Sequence, residues 1–327
     1  MVWPTSARVV RALGFHEFKR GRFYRDLLSE VVGTMILVFV SCALSAHWEG
    51  KHPSIVQISL AAGICIATIV WCLANASGSH INPAISIAFA IAGHITPVRA
   101  LCYSISQCLG ALLAVVFAKA LTPATLIGPY FAVNRINPLL TPGQGVGMEA
   151  VCTFLLTFTV FATVDQSRHD LHGSGPLAIG FSVLLTHLFG FQYTGSAMNP
   201  ARSLGPAIVA GKWEHHWVYW VGPIIGSIVG VLFYQYVIAG DATFDKVKAA
   251  VFCNDSYVTK SNKKRAVSLK IKRVRRPSLM AHFEDEHYAE RNHENDVFYP
   301  IKHDDDEKCD HMIETTEMGS NGTAAEA

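Results

Sequence analysis

Two copies of one tripeptide stand out: Asn82-Pro83-Ala84 and Asn199-Pro200-Ala201. Asparagine is a good helix N-cap. Proline suits the first helical turn, where its missing N–H would have been unpaired anyway. Each triplet therefore opens a helix, and the apolar stretches that follow, Asn82–Ile91 and Asn199–Val209, are only about ten residues long. Two well-capped helices would explain that much. If their N-termini face each other inside a membrane, two positive dipole ends meet at one place, and the Asn82 and Asn199 amides offer N–H donors there. Water can accept such bonds and reorient, whereas a hydronium ion or metal cation meets positive potential and loses hydration. Two carboxylates stand at matching distances upstream: Glu30 precedes Asn82 by 52 residues and Glu149 precedes Asn199 by 50. Both lie in apolar runs, where a carboxylate is costly unless paired.

The elements that must position these groups are membrane helices. Of 327 residues, 50% are hydrophobic and 16% charged, against about 25% charged in a soluble domain. The charge gathers before Asp26, in short loops and after Gly240. Between lie six apolar runs of about twenty residues, the length that crosses a bilayer: Leu27–Trp48, Ile55–Leu73, Arg99–Leu121, Gly145–Val164, Gly175–Phe191 and His216–Ile238. This excludes an ordinary soluble enzyme, and no nucleophile, metal-ligand or phosphate-cradle arrangement is apparent. The two triplet segments cover half the hydrocarbon thickness, so their backbone ends need protein or a water-filled cavity. Each half of the chain reads helix, helix, half-helix, helix. Three crossings per half is odd, so the halves form an inverted repeat with the functional site near the midplane between them. Gly222, Gly226 and Gly230, with Gly110 at a matching place in the first half, allow close helix approach.

The expected organisation is a cytoplasmic segment 1–26, a channel domain 27–240 (repeats at about 27–121 and 143–240) and a largely disordered cytoplasmic tail 241–327, with a short helix at Phe244–Phe252 at most. Basic residues flank both ends, which places both termini in the cytoplasm. The first apolar run reads as a retained helix, not a cleaved signal. The eight cysteines read as small buried hydrophobes without a disulfide framework. In the tail, Ser278 after Arg275-Arg276-Pro277 and Ser268 after Lys264-Arg265 fit basophilic kinase sites, although such short motifs recur by chance. The basic stretch equally suits anionic inner-leaflet lipid. Three glycosylation sequons fall where none should be used. The loop Asp165–Gly173, with Arg168, His169 and His172, reads as a solvated loop with a pH gate as the alternative.

The runs Ser79-His80-Ile81-Asn82-Pro83-Ala84 and Tyr193–Ser203 resemble the two pore signatures of aquaporins, from roughly Leu27 to Tyr236. The second half is most similar to the brain-type, water-selective animal members and their invertebrate relatives. The resemblance implies an all-α membrane fold of six transmembrane helices plus two half-helices in a right-handed bundle, and a homotetramer with a pore in each subunit. It implies a plasma-membrane water channel with no cofactor, no metal and no nucleic-acid partner. Glu30 and Glu149, with His80, would brace the pore loops. The family's filter positions, counted from the asparagines, fall on Ala62, His187, Ser196 and Arg202. By residue type alone, Arg202 could be an interfacial anchor and His187 a satisfied core histidine. Ser196 leaves the loop without a thiol, so no mercurial block is expected there. Ala62 departs from the phenylalanine usual in water-selective members. Either its methyl widens the filter, admitting urea, glycerol, ammonia or peroxide, or a neighbouring side chain fills the gap. Ser203, Ala207 and the pair Tyr219-Trp220 resemble the water group. A junctional or signalling member of the superfamily is the remaining alternative.

Overall fold

The computed structural model describes residues 13–46, 48, 53–165, 168, 174–240 and 242. Among them are six helices long and apolar enough to cross a membrane: α1 (Gly21–Leu44), α2 (Ile55–Ser77), α4 (Pro97–Leu121), α5 (Pro142–Thr163), α6 (Gly175–Thr194) and α8 (Val218–Phe233), the last continued by a π-turn at Tyr234–Ile238. Two short helices interrupt the series: α3 (Pro83–Ile91) and α7 (Pro200–Ala210). A 3-10 turn at Phe15–Lys19 precedes α1. Ser268, Ser278, the helix expected at Phe244–Phe252 and most of the loop after Asp165 lie outside the described residues.

Local chemistry explains the starts and stops. Ser54, Thr96, Thr141 and Ser174 each accept a backbone N–H in the first turn of the next helix, and Thr141 forms a reciprocal capping box with Gln144. The helices before both half-helices, α2 and α6, end on glycines in the left-handed region, Gly78 at φ 87° and Gly195 at φ 82°.

The packing has inverted-repeat symmetry. In the first half α1 packs along α4, and in the second α5 packs along α8, while α2 and α6 cross between the halves. Each half-helix leans on the long helix of the other half, α3 on α8 and α7 on α4. Glycine makes the long contacts close. A Cβ at Gly110 would collide with the Val31 carbonyl, and one at Gly226 with the Ala150 carbonyl. Gly222 meets the Glu149 Cβ and Gly230 the Thr157 Cβ.

Several helix ends differ from those read in the sequence. α1 begins at Gly21, six residues before Leu27, and stops at Leu44, not Trp48. α2 continues to Ser77 and α6 to Thr194. Hydropathy stops at the first polar residues, yet here some of the polar residues beyond, Asp26, Ser77 and Thr194, are buried and paired. Asp26 is fully buried because Arg99 Nη1 donates to it at 2.8 Å. Arg99 also pairs with buried Glu17, which accepts from Thr96 as well. One cation between two carboxylates thus fastens the 3-10 turn and the start of α1 to α4.

Candidate functional site

The two half-helices meet at their N-termini. Asn82 Oδ1 accepts the Ala84 N–H at 2.9 Å, and Asn199 Oδ1 accepts those of Ala201 and Arg202 at 3.0 and 3.2 Å. Each asparagine also reaches into the opposite half. Asn82 Nδ2 donates to the Met198 carbonyl at 2.8 Å, and Asn199 Nδ2 donates to the Ile81 carbonyl at 2.7 Å. One N–H of each amide is thereby spent on the other half's loop and one remains for a solute.

The loops before the half-helices are unusual backbone. Ser79 and Ile81 have φ of 50° and 44°, and Ser196 and Met198 have 47° and 53°. Non-glycine residues avoid this region, β-branched isoleucine most of all, at about 1–3 kcal/mol each. Buried carboxylates hold the conformation. Glu30 accepts the N–H groups of His80 (3.0 Å) and Ile81 (2.6 Å), the Ser77 hydroxyl (2.6 Å) and Gln107 Nε2 (2.7 Å). Glu149 accepts those of Ala197 (2.9 Å) and Met198 (2.7 Å) and the Thr194 hydroxyl (2.5 Å). Every partner of both carboxylates is a donor, which suits acceptor-only groups. Tyrosines repeat the symmetry: Tyr103 donates to the Ser77 carbonyl at 2.9 Å and Tyr219 to the Thr194 carbonyl at 3.0 Å. His80 sits beside Ser86 (Nδ1 to Oγ 3.2 Å) and against Phe89, with ring centroids 4.3 Å apart.

Two cavities run through the bundle. The first, about 120 Å³, extends from Arg22, Ser77 and Arg99 past His80, Asn82 and Asn199. One side is the polar edge of the two loops. The other is apolar, with Ile66, Val70, Leu156, Val160, Ile179 and Val183. Ser79 Oγ, buried without a protein partner, faces this space. The second cavity, about 600 Å³, opens at the other end between Leu44, Pro53 and the segment 128–135. Five residues line both cavities: Leu37, Ser41, Ala62, His187 and Arg202. They mark the neck where the two spaces join.

Three of the four positions carried over from the family, Ala62, His187 and Arg202, are therefore together at the neck. Ser196 lines neither cavity. It is 1% exposed, and its hydroxyl donates to the Thr186 carbonyl at 3.1 Å, so its neighbours Gly195 and Ala197 take the loop's place along the two spaces. Arg202 is steadied by its own contact, Nη1 to the Ala132 carbonyl at 2.7 Å. His187 Nδ1 lies 2.9 Å from the Val183 carbonyl. Sequence reasoning missed Leu37 and Ser41, because helix periodicity does not say which face of α1 meets a lumen. It also missed Gln107 and Tyr103. The signal for Tyr103 was available, since Tyr103 stands 116 residues before Tyr219 just as Gly110 stands 116 before Gly226.

The major intrinsic protein family model matches residues 17–234. The chain is 39% identical to Aquaporin-4 of Rattus norvegicus over 79% of its own length and 81% of that protein's. It is 42% identical to Aquaporin-2 of Bos taurus over 68% and 82% respectively. Among solved structures it resembles the aquaglyceroporin from Plasmodium falciparum, with a TM-score of 0.61 at 24% identity, over 66% of this chain and 97% of that one. That likeness shows the fold alone. A matched family domain, two relatives of high coverage and opposed half-helices in a six-helix bundle make this chain a member of the major intrinsic protein family, an aquaporin-family channel.

Proposed function

We propose that this protein is a passive water channel driven by osmotic gradients, closed to protons and ions. The carrying observation is the reciprocal pair of asparagine bonds, which sets two helix N-termini face to face on the lumen. Water bound there accepts from Asn82 and Asn199 and is turned at the midpoint, which breaks a chain of like-oriented hydrogen bonds. Cations meet the two dipole ends and then Arg202 at the neck. The apolar wall opposite the loops offers water no hydrogen bonds, so the file is held only along the loop side and has few places to stick. In this reading Glu30, Glu149 and His80 brace the pore loops, while Ala62, His187 and Arg202 form the filter. The chain sits in the plasma membrane as a homotetramer with both termini cytoplasmic, and residues 27–240 form the channel domain.

A second reading is favoured by Ala62. It lines both cavities, and among the described residues that line both there is no phenylalanine. A neck walled by a methyl and a leucine admits small neutral solutes besides water.

Stopped-flow measurements on proteoliposomes test both readings. Wild type should carry water fast and leak no protons. Arg202→Ala should keep water flux and admit protons or monovalent cations, raising leak at least about tenfold, equivalent to roughly 1.4 kcal/mol of lost electrostatic barrier. Ala62→Phe should stop any glycerol or urea flux found in wild type. Absence of water flux in the wild type would end the first reading, and absence of solute flux would end the second.

A further inference from the structure

The neck has a polar wall on the first helix that the family's filter positions do not include. Its four sides come from four helices: Leu37 and Ser41 from α1, Ala62 from α2, His187 from α6 and Arg202 from α7. α1 packs on α2, α2 on α6 and α7 on α1, while α6 runs into α7 through the loop 195–199. In that order around the lumen, Ser41 stands across from His187 and Arg202 across from Ala62.

The hydrogen positions on two of these groups are fixed by their partners. The Ser41 hydroxyl donates to the Leu37 carbonyl at 3.1 Å, so its lone pairs are what it shows to the lumen. His187 Nδ1 lies against the Val183 carbonyl, which can only accept, so Nδ1 carries the hydrogen and Nε2 of the neutral ring is a bare acceptor. Arg202 spends Nη1 on Ala132 and keeps further N–H groups. The neck thus offers an acceptor on each of two opposite sides and a donor fork between them, with a methyl facing the fork.

We infer that Ser41 is a specificity-determining residue, and that with His187 it selects neutral solutes that donate from two opposite edges and accept at a third, the pattern of urea and small amides. The carbonyl of such a solute meets Arg202, and one amino group meets each acceptor. Glycerol carries its hydroxyls along one edge. Its hydrocarbon edge must then face Ser41 or His187, leaving a desolvated acceptor without a partner. This inference rests on the wider-neck reading and adds which solutes pass.

The test measures urea and glycerol permeability in the same proteoliposomes for wild type, Ser41→Ala, Ser41→Thr and Ala62→Phe. The ratio within one vesicle batch cancels differences in folded protein. Wild type should favour urea. Ser41→Ala should lower the urea-to-glycerol ratio about threefold to tenfold, the worth of one hydrogen bond. Ser41→Thr, which keeps the hydroxyl, should hold the wild-type ratio. A ratio near one in wild type, or one that Ser41→Ala leaves unchanged, would overturn the role of Ser41 while leaving the wide neck intact. Water flux with neither solute passing in wild type would overturn the wide neck and this inference with it.

Discussion

The two pore loops are built to one plan but held by different means. In the first half the bracing is all side chain and lies within the bundle. Glu30 takes four donors, and one of them, Gln107, is itself bonded to Ser86 at 3.0 Å, which in turn meets His80. In the second half Glu149 takes three donors, and Pro223 stands where the symmetry would place Gln107. Ser203, the counterpart of Ser86, donates to Asn134 at 2.9 Å, and Arg202 donates to Ala132. Both acceptors belong to the connecting segment after α4. That segment also stacks Arg135 on Tyr130, with the guanidinium 4.1 Å from the ring centroid. One half thus closes its polar core from inside the membrane, and the other borrows a loop. A repeated fold can diverge wherever a buried polar group has two sources of partners.

Removing the carboxylates probes this contrast hardest. Glu30→Ala and Glu149→Ala each strand buried donors at about 1–3 kcal/mol apiece and release strained backbone. Both should lower the thermal midpoint in detergent severely, and Glu30→Ala should lower it further, by the share of its fourth donor. Gln107→Leu should cost about 1–2 kcal/mol and erase that difference when combined with Glu30→Ala. Equal midpoints for the two alanine variants would mean that Gln107 is not what sets the halves apart.

The tyrosines give a smaller test. Tyr103→Phe and Tyr219→Phe each remove one bond to a helix-end carbonyl, worth about 0.5–1.5 kcal/mol. Tyr103 also accepts from Arg99 Nη1 at 3.1 Å, so its variant should be the less stable of the two in the same unfolding assay. The smallest effect concerns His216, in the loop before α8. Burial lowers its pKa, and Trp220 Nε1 donates to its Nε2 at 3.1 Å, which requires that nitrogen unprotonated. With the folded pKa below the unfolded value, about 6.5, the contribution is complete above that value and is lost as pH falls through and below it. Wild type should therefore lose slightly more stability between pH 8 and pH 5.5 than His216→Gln does.

Much of this was legible in the sequence. The six crossings, the half-helices and their meeting followed from apolar run length and from two triplets in equivalent places. The close-packed glycines Gly110 and Gly226 followed from their spacing. Harder to read were contacts that cross the symmetry axis or begin in polar sequence. Glu17 looked like part of a basic cytoplasmic segment and is instead buried against Arg99. Ser41 looked like any small residue in a membrane helix, since serine bonded to its own backbone leaves no periodic trace. Ser196 was placed by counting from Asn199, which fixes its position on the loop but not the direction of its side chain.

The exchanged asparagine bonds have a consequence for biosynthesis. Asn82 needs the carbonyl of Met198, 116 residues later, and Asn199 needs that of Ile81. When the first re-entrant segment leaves the ribosome, the chain that completes it has not yet been made. Until then Ser79 and Ile81 are held against their backbone preference by first-half groups only, Ser77 Oγ on the Ser79 N–H and Glu30 on the Ile81 N–H. Final closure is then a late, all-or-none event between two halves already inserted, and a chain truncated after α4 should present its first half-helix to the quality-control machinery as unfinished.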